Sequence, residues 1–123
     1  MTGLELSHRE EDGVMVIQVA GDLDACTAPQ LRELTINLAP SCLVIDLSRT
    51  GLVDASGLGV LVGALKRVRA QDGGFAVACT DERVLKAFRI CGLLPVLNVY
   101  DAPGEAVAAV RGDGESLAGA ERR

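Results

Sequence analysis

Apolar residues recur along this chain with two alternating periods, close to two in some segments and close to 3.6 in others, the signature of strands and helices in alternation. Leu4 to His8 and the apolar run Val14 to Ala20 flank Asp12-Gly13, a pair suited to a tight hairpin turn, so the first two strands are predicted to be antiparallel. Thr27-Ala28-Pro29-Gln30 reads as a helix start, with Thr27 as the cap, Pro29 in the first turn and Gln30 in the capping-box position. Leu31, Leu34 and Leu38 supply that helix with an apolar face. Leu43 to Leu47 is almost continuously apolar, as expected of a central strand covered on both faces. Leu58, Leu61, Val62, Leu65 and Val68 then follow the spacing of a buried helical stripe, and Gly73-Gly74 is expected to stop the helix.

Phe75 to Cys79 reads as the next strand. Thr80 or Asp81 is placed to cap a short helix running through Arg89, with Gly92 at its end. Val96 to Tyr100 reads as a last strand, and Asp101-Ala102-Pro103 as the capped start of a final helix through about Val110. Strands joined through helices are parallel and cross over right-handedly. The predicted fold is therefore a single α/β domain over residues 4–110, with a mainly parallel sheet, an N-terminal antiparallel hairpin and about four helices. Residues 111–123 offer little to bury and read as a disordered tail.

Composition narrows the function. Apolar residues make up 49% of the 123 residues but aromatics only 2%, so the core must be built from Leu, Val, Ile and Ala. No apolar run approaches the roughly 18 residues of a membrane span, and Met1 to Glu10 carries no signal segment, which together predict a cytoplasmic protein. With 12 basic against 17 acidic residues, a net charge of −5 and no basic stripe interleaved with aromatics, direct nucleic-acid binding is not expected. Cys26, Cys42, Cys79 and Cys91 form no C-x-x-C pair and His8 stands alone, so no metal site is expected. The cysteines are expected to be reduced and buried or half-buried, Cys26 being the candidate for redox modulation through its closeness to Asp24.

Ligands and partners of a parallel sheet meet the loops at the carboxyl ends of its strands. Here those loops carry Asp22 and Asp24, then Asp54 and Ser56, then Thr80 and Asp81, then Asp101. Ser56 falls at or next to the start of a helix, where a serine can simply cap. Gly57, Gly59 and Gly63 follow it, and glycine inside a helix costs roughly 1 kcal/mol. Close approach by a partner's backbone, or tight packing on the protein's own sheet or a neighbouring loop, would each compensate.

Catalytic patterns fail. Val62 stands where a dinucleotide fingerprint needs its third glycine, Asp54 stands where a nucleophile elbow needs glycine, and no G-x-x-x-x-G-K occurs. The chain is not expected to be an enzyme or to need a cofactor.

Gly21 to Ala28, Val44-Ile45-Asp46-Leu47 and Val53-Asp54-Ala55-Ser56-Gly57-Leu58-Gly59-Val60-Leu61, continued by Arg67 to Ala70 and Phe88 to Leu93, resemble the STAS domains of bacterial anti-sigma factor antagonists. The resemblance implies a partner-switching protein. Unphosphorylated, such a protein binds an anti-sigma factor that is also a serine kinase and so releases a sigma factor. The kinase inactivates it by phosphorylating the serine matching Ser56, and a phosphatase reverses this. Asp24 matches the aspartate beside that serine. Many members carry a second hydroxyl before it, where this chain has Ala55. The implied partner surface comprises Asp22, Asp24, Asp54, Ala55, Ser56, Gly57, Gly59 and Gly63. The alternatives are a STAS-like domain sensing a nucleotide or small anion at the same helix start, and a scaffold in a sensory complex.

Overall fold

The computed structural model describes residues 3–111. Over those residues the chain runs β1 (Glu5–Glu11), β2 (Val14–Ala20), α1 (Ala28–Leu38), β3 (Leu43–Arg49), α2 (Ala55–Ala70), β4 (Phe75–Ala78), α3 (Glu82–Ile90), α4 (Leu94–Leu97), β5 (Val99–Tyr100) and α5 (Pro103–Val110). The strands form one sheet in the order β1-β2-β3-β4-β5. β1 and β2 are antiparallel, and every later pairing is parallel. The α/β fold with its opening hairpin is the one expected from the sequence, with five helices among the described residues where about four were predicted.

Because each parallel strand adds to the same side of its predecessor, right-handed crossovers put all the intervening helices on one face of the sheet. The core divides accordingly. Ile17, Val19, Leu43, Ile45, Leu47 and Val77 face α1 to α4, burying Leu31, Leu61, Leu65, Phe88 and Leu97 between the layers. Side chains of opposite parity, Val14, Val16, Val44, Ala76 and Tyr100, meet Ala106 and Val107 of α5. Full burial of one such Leu or Ile is worth about 1.5–3 kcal/mol, so these two layers hold most of the stabilisation.

The hairpin turns on Asp12 (φ 55°) and Gly13 (φ 83°), the paired positive φ values of a type I′ turn. β1 continues past His8 to Glu11; as an edge strand exposed along most of its length it accepts charged residues that a buried strand would not. Three helix boundaries differ from the sequence reading. Thr27 makes no side-chain cap for α1, because its hydroxyl is drawn back into the preceding loop. At the end of α2, Asp72 (φ 61°) takes the left-handed position, with Asp72 N–H donating to Arg69 O and Gly73 N–H to Val68 O, a Schellman closure completed before the glycine pair. The start of α5 has Ala102 at the N-cap position with no side-chain cap bond.

The apolar face of α2 is also rotated: Val60 and Ala64 are buried, whereas Leu58 and Val62 are half-buried. In α1 the buried positions are Ala28, Leu31 and Thr35, with Leu34 and Leu38 half-buried. Val96, predicted to begin the last strand, lies in α4, a short helical turn with Pro95 in its first positions that ends at Asn98 (φ 61°); β5 is left with Val99 and Tyr100. Asn98 Nδ2 donates to Phe75 O at 3.2 Å, tying this turn to the start of β4. Arg111, assigned to the tail, instead pairs with Asp12 at 2.7 Å; the rest of the predicted tail lies outside the described residues.

Candidate functional site

The carboxyl ends of β2 and β3 lead into two loops that are joined to each other. Leu23 forms an isolated parallel bridge with Val53. Leu23 N–H donates to Leu52 O at 2.9 Å, and Asp54 N–H donates to Leu23 O at 3.1 Å. The Asp54 carboxylate completes the joint: Oδ1 accepts from Gly57 N–H at 3.1 Å and Oδ2 from Ala25 N–H at 3.2 Å. One side chain thus caps α2 and holds the neighbouring loop. Asp54→Ala removes both functions and is expected to cost about 1–2 kcal/mol in urea unfolding, while Asp54→Asn, which keeps an acceptor oxygen, should cost less.

Asp24 organises the first loop. Its Oδ1 accepts from Cys26 N–H at 3.0 Å and from Thr27 N–H at 3.1 Å. The Thr27 hydroxyl donates to Asp22 O at 2.7 Å and accepts from Asp24 N–H at 3.0 Å. Asp24 therefore satisfies the amides of the two residues just before α1, while the first turn of α1 has no side-chain cap. Asp22 is exposed at the same edge.

Ser56 sits on this platform as the second residue of α2, with Asp54 as the N-cap and Ala55 between them. Ser56 is exposed, and its side chain makes no hydrogen bond among the described residues. Ser56 is therefore not the cap; Asp54, as strong a cap as Ser, stands two residues earlier and takes that place.

The three glycines separate by role. Gly57 is buried, and a Cβ there would lie 2.7 Å from Leu23 O and 2.9 Å from both Leu23 Cγ and Val53 Cγ1. Its bare backbone lets α2 start directly against the β2–α1 loop, so it shapes the platform from inside. Gly59 meets nothing within 4 Å, and at Gly63 the only near atom is Arg67 Nη1 at 3.7 Å. These two do not pack on the sheet; they open towards a groove of about 390 Å³ between α1 and α2, at whose mouth Ser56 lies. Gly59→Ala is accordingly expected to raise stability by about 0.5–1 kcal/mol, read as a higher urea midpoint at unchanged slope; a loss would show that the position is closed.

Further along the carboxyl edge, Asp81 caps α3 by accepting from Arg83 N–H at 2.8 Å, and the Arg83 guanidinium folds back onto the same carboxylate at 2.8 Å. That side-chain hydrogen bond, above all, holds the Asp81 carboxyl down at about 2. A depressed carboxyl stabilises the fold above its unfolded value of about 4, and this contribution is lost as pH falls through about 2. Thr80 and Asp101 are exposed on the same edge. The four cysteines are free thiols; Cys79 is buried and Cys42 half-buried, but Cys26 and Cys91 are exposed, because both sit on chain reversals at helix ends. Among the described residues no cluster of His, Cys, Asp or Glu could hold a metal ion, and no helix is long and apolar enough to cross a membrane.

Sequence reasoning did not find Arg32 or Arg67, which line the groove beside Ser56. Arg67 stood only in the stretch Arg67 to Ala70 that continues the resemblance, Arg32 in none, and they come together only because α1 and α2 pack side by side.

The site can be set against known proteins. The STAS domain family model matches residues 5–106. The anti-sigma-B factor antagonist of Listeria monocytogenes is 32% identical over 105 residues, covering 83% of this chain and 91% of the relative. Among solved structures, an anti-sigma factor antagonist from Mycobacterium paratuberculosis is 28% identical, with a TM-score of 0.81 over 88% of this chain and 94% of that one. The anti-sigma factor antagonist SpoIIAA in its unphosphorylated form is 26% identical, with a TM-score of 0.73 over 89% and 96%. The match spans the hairpin, both joined loops, the Ser56 turn and all five strands, and on that extent the chain belongs to the STAS domain family.

Proposed function

We propose that this chain is an anti-sigma factor antagonist acting in the cytoplasm by binding, without catalysis of its own. Unphosphorylated, it takes up an anti-sigma factor that is also a serine kinase and so frees a sigma factor; phosphorylation of Ser56 ends that binding, and a phosphatase restores it. The observation that carries this is the Ser56 hydroxyl, exposed on the first turn of α2 and engaged in no hydrogen bond among the described residues, on a platform joined by Asp54 and Asp24. A kinase can reach such a hydroxyl without unfolding anything. The relatives named anti-sigma factor antagonists support the partner class, and the form of SpoIIAA described as unphosphorylated supports a phosphate switch.

The partner surface comprises Asp22, Ala55, Ser56, Gly59 and Gly63 at the exterior, with Asp24, Asp54 and Gly57 shaping it from within. The test is a pull-down from the native cytoplasm with wild-type protein and Ser56→Ala, partners being identified by mass. Both should retain one kinase-type anti-sigma factor, and only the wild type should be released by ATP. Retention of nucleotide with no protein partner would overturn this function.

A further inference from the structure

The groove between α1 and α2 is opposite in charge to the chain's net balance. The chain carries a net charge of −5, and the loops beside Ser56 present Asp22, Asp24 and Asp54. Yet the groove is lined by two guanidinium groups, Arg32 and Arg67, and by no carboxylate; Ala28, Gly59 and Gly63 leave the space between them open. Among the described residues Arg32 and Arg67 pair with no carboxylate, which they share with Arg49, Lys66, Arg69 and Lys86; what sets them apart is that both line one groove.

Arg67 is also held in place. Its Nη2 donates to Thr35 Oγ1 at 2.7 Å, and the buried Thr35 hydroxyl donates in turn to Arg32 O at 2.8 Å. Nη1 lies 3.7 Å from where a Cβ on Gly63 would stand. Ordering this side chain in advance reduces the entropy lost when an anion binds. Arg32 is exposed on the facing helix, and long helical side chains lean towards the N-terminus of their helix, here the end where Ser56 lies.

From this charge complementarity we infer that the groove receives an acidic segment of the anti-sigma partner, with a carboxylate side chain set against Arg32 and Arg67 and its backbone passing over Gly59 and Gly63. The inference rests on the function proposed above and supplies the sign of its switch. A phosphate on Ser56 brings about −1.5 to −2 charges to the mouth of the same groove, where it repels the partner's carboxylate and competes for the guanidinium groups.

The experiment uses the full chain and the purified anti-sigma kinase identified by the pull-down. Arg32→Glu should lower the affinity of the unphosphorylated protein by about 30-fold or more, while Arg32→Lys should stay within about threefold; because Arg32 is exposed, both should melt with the wild type. The wild-type affinity should fall with added salt more steeply than that of Arg32→Glu. In the Arg32→Lys complex, zero-length carbodiimide coupling should join the introduced amine to an Asp or Glu of the partner, located by mass mapping. If the wild type binds only when unphosphorylated but Arg32→Glu binds equally well, the groove inference falls and the proposed function stands. Coupling to a second copy of this chain, or to its own residues 112–123, would equally overturn it. If the wild type binds no kinase in either state, the proposed function itself falls.

Discussion

Treated with its cognate kinase and ATP, the chain should acquire one phosphate, on Ser56, and lose more than about 100-fold in affinity for the anti-sigma partner while keeping its fold. Folding and binding separate because of where the charge lands. Ser56 is exposed in the first turn of α2, so a dianion there stays in water and meets the positive end of the helix dipole, which returns about 0.3–1 kcal/mol. Asp54 and Asp24 hold their loops through backbone amides, Asp54 to Gly57 and Ala25, Asp24 to Cys26 and Thr27, and among the described residues the Ser56 side chain makes no hydrogen bond that the modification would break. The melting temperature should therefore move by less than about 5 °C, equivalent to roughly 1 kcal/mol at this size. A partner seated over Ser56 has no such relief, since it must accommodate the added volume and strip water from the phosphate; a loss of about 3 kcal/mol there exceeds a hundredfold. Ser56→Ala should bind and resist phosphorylation. Ser56→Asp should bind less well, though less affected than the phosphoprotein, since it brings one negative charge where phosphate brings nearly two. Mass mapping and calorimetry read these outcomes, and stoichiometric Ser56 phosphate with unchanged affinity would refute the mechanism.

Gly73→Ala should be the most damaging single-methyl change, costing about 3 kcal/mol, the upper part of the usual range for overpacking. A Cβ on Gly73 would stand 1.5 Å from Ser41 O and 2.7 Å from Ser41 C, with Val68 Cγ1 at 3.1 Å on another side. The obstructing atoms are backbone just before β3, so no side chain can rotate away. Nor can that segment retreat freely: Cys42 O accepts from Met15 N–H, and Leu43 N–H donates to Gly74 O, both at 3.0 Å. The melting temperature should fall by roughly 10–20 °C, while Gly59→Ala, in open space on the same chain, moves the other way. A Gly73→Ala protein within about 0.5 kcal/mol of wild type in urea would show that the β3 entry yields more easily than its hydrogen bonds suggest. The variant bears on the site as well, because β3 carries the loop from which Asp54 and Ser56 project.

Local chemistry was enough for much of this molecule. The Asp12-Gly13 turn, the alternating parity of β2, the continuous apolar run of β3, the Asp81 cap and the Gly92 reversal (φ 69°) are each set by residues within a few positions of one another, and a linear reading finds such signals. Ser56 was legible for the same reason, as the hydroxyl in a short glycine-rich helix start. Other features were not local. Val96 and Leu97 suit a strand or a helical turn equally well; Pro95 and the contacts of α4 with α2 and α3 decide for the turn. The rotation of α2 towards Val60 and Ala64 depends on how closely α1 and the β2–α1 loop press on it, with Gly57 under Leu23 setting the approach. Gly73 looked like a helix stop, but Asp72 makes the reversal and the glycine is needed for a backbone more than 30 residues earlier. Arg32, Arg67 and Ser56 come from different turns of two helices and share one groove only after both have packed on the sheet. The sequence by itself determined most of the elements, their order and the place of Ser56 at a helix start, because neighbouring residues set backbone preference and period. Only the tertiary structure decided which glycines are packed and which are open, and that Arg32 and Arg67 share one groove, because those depend on distances between segments that burial of the core alone brings together.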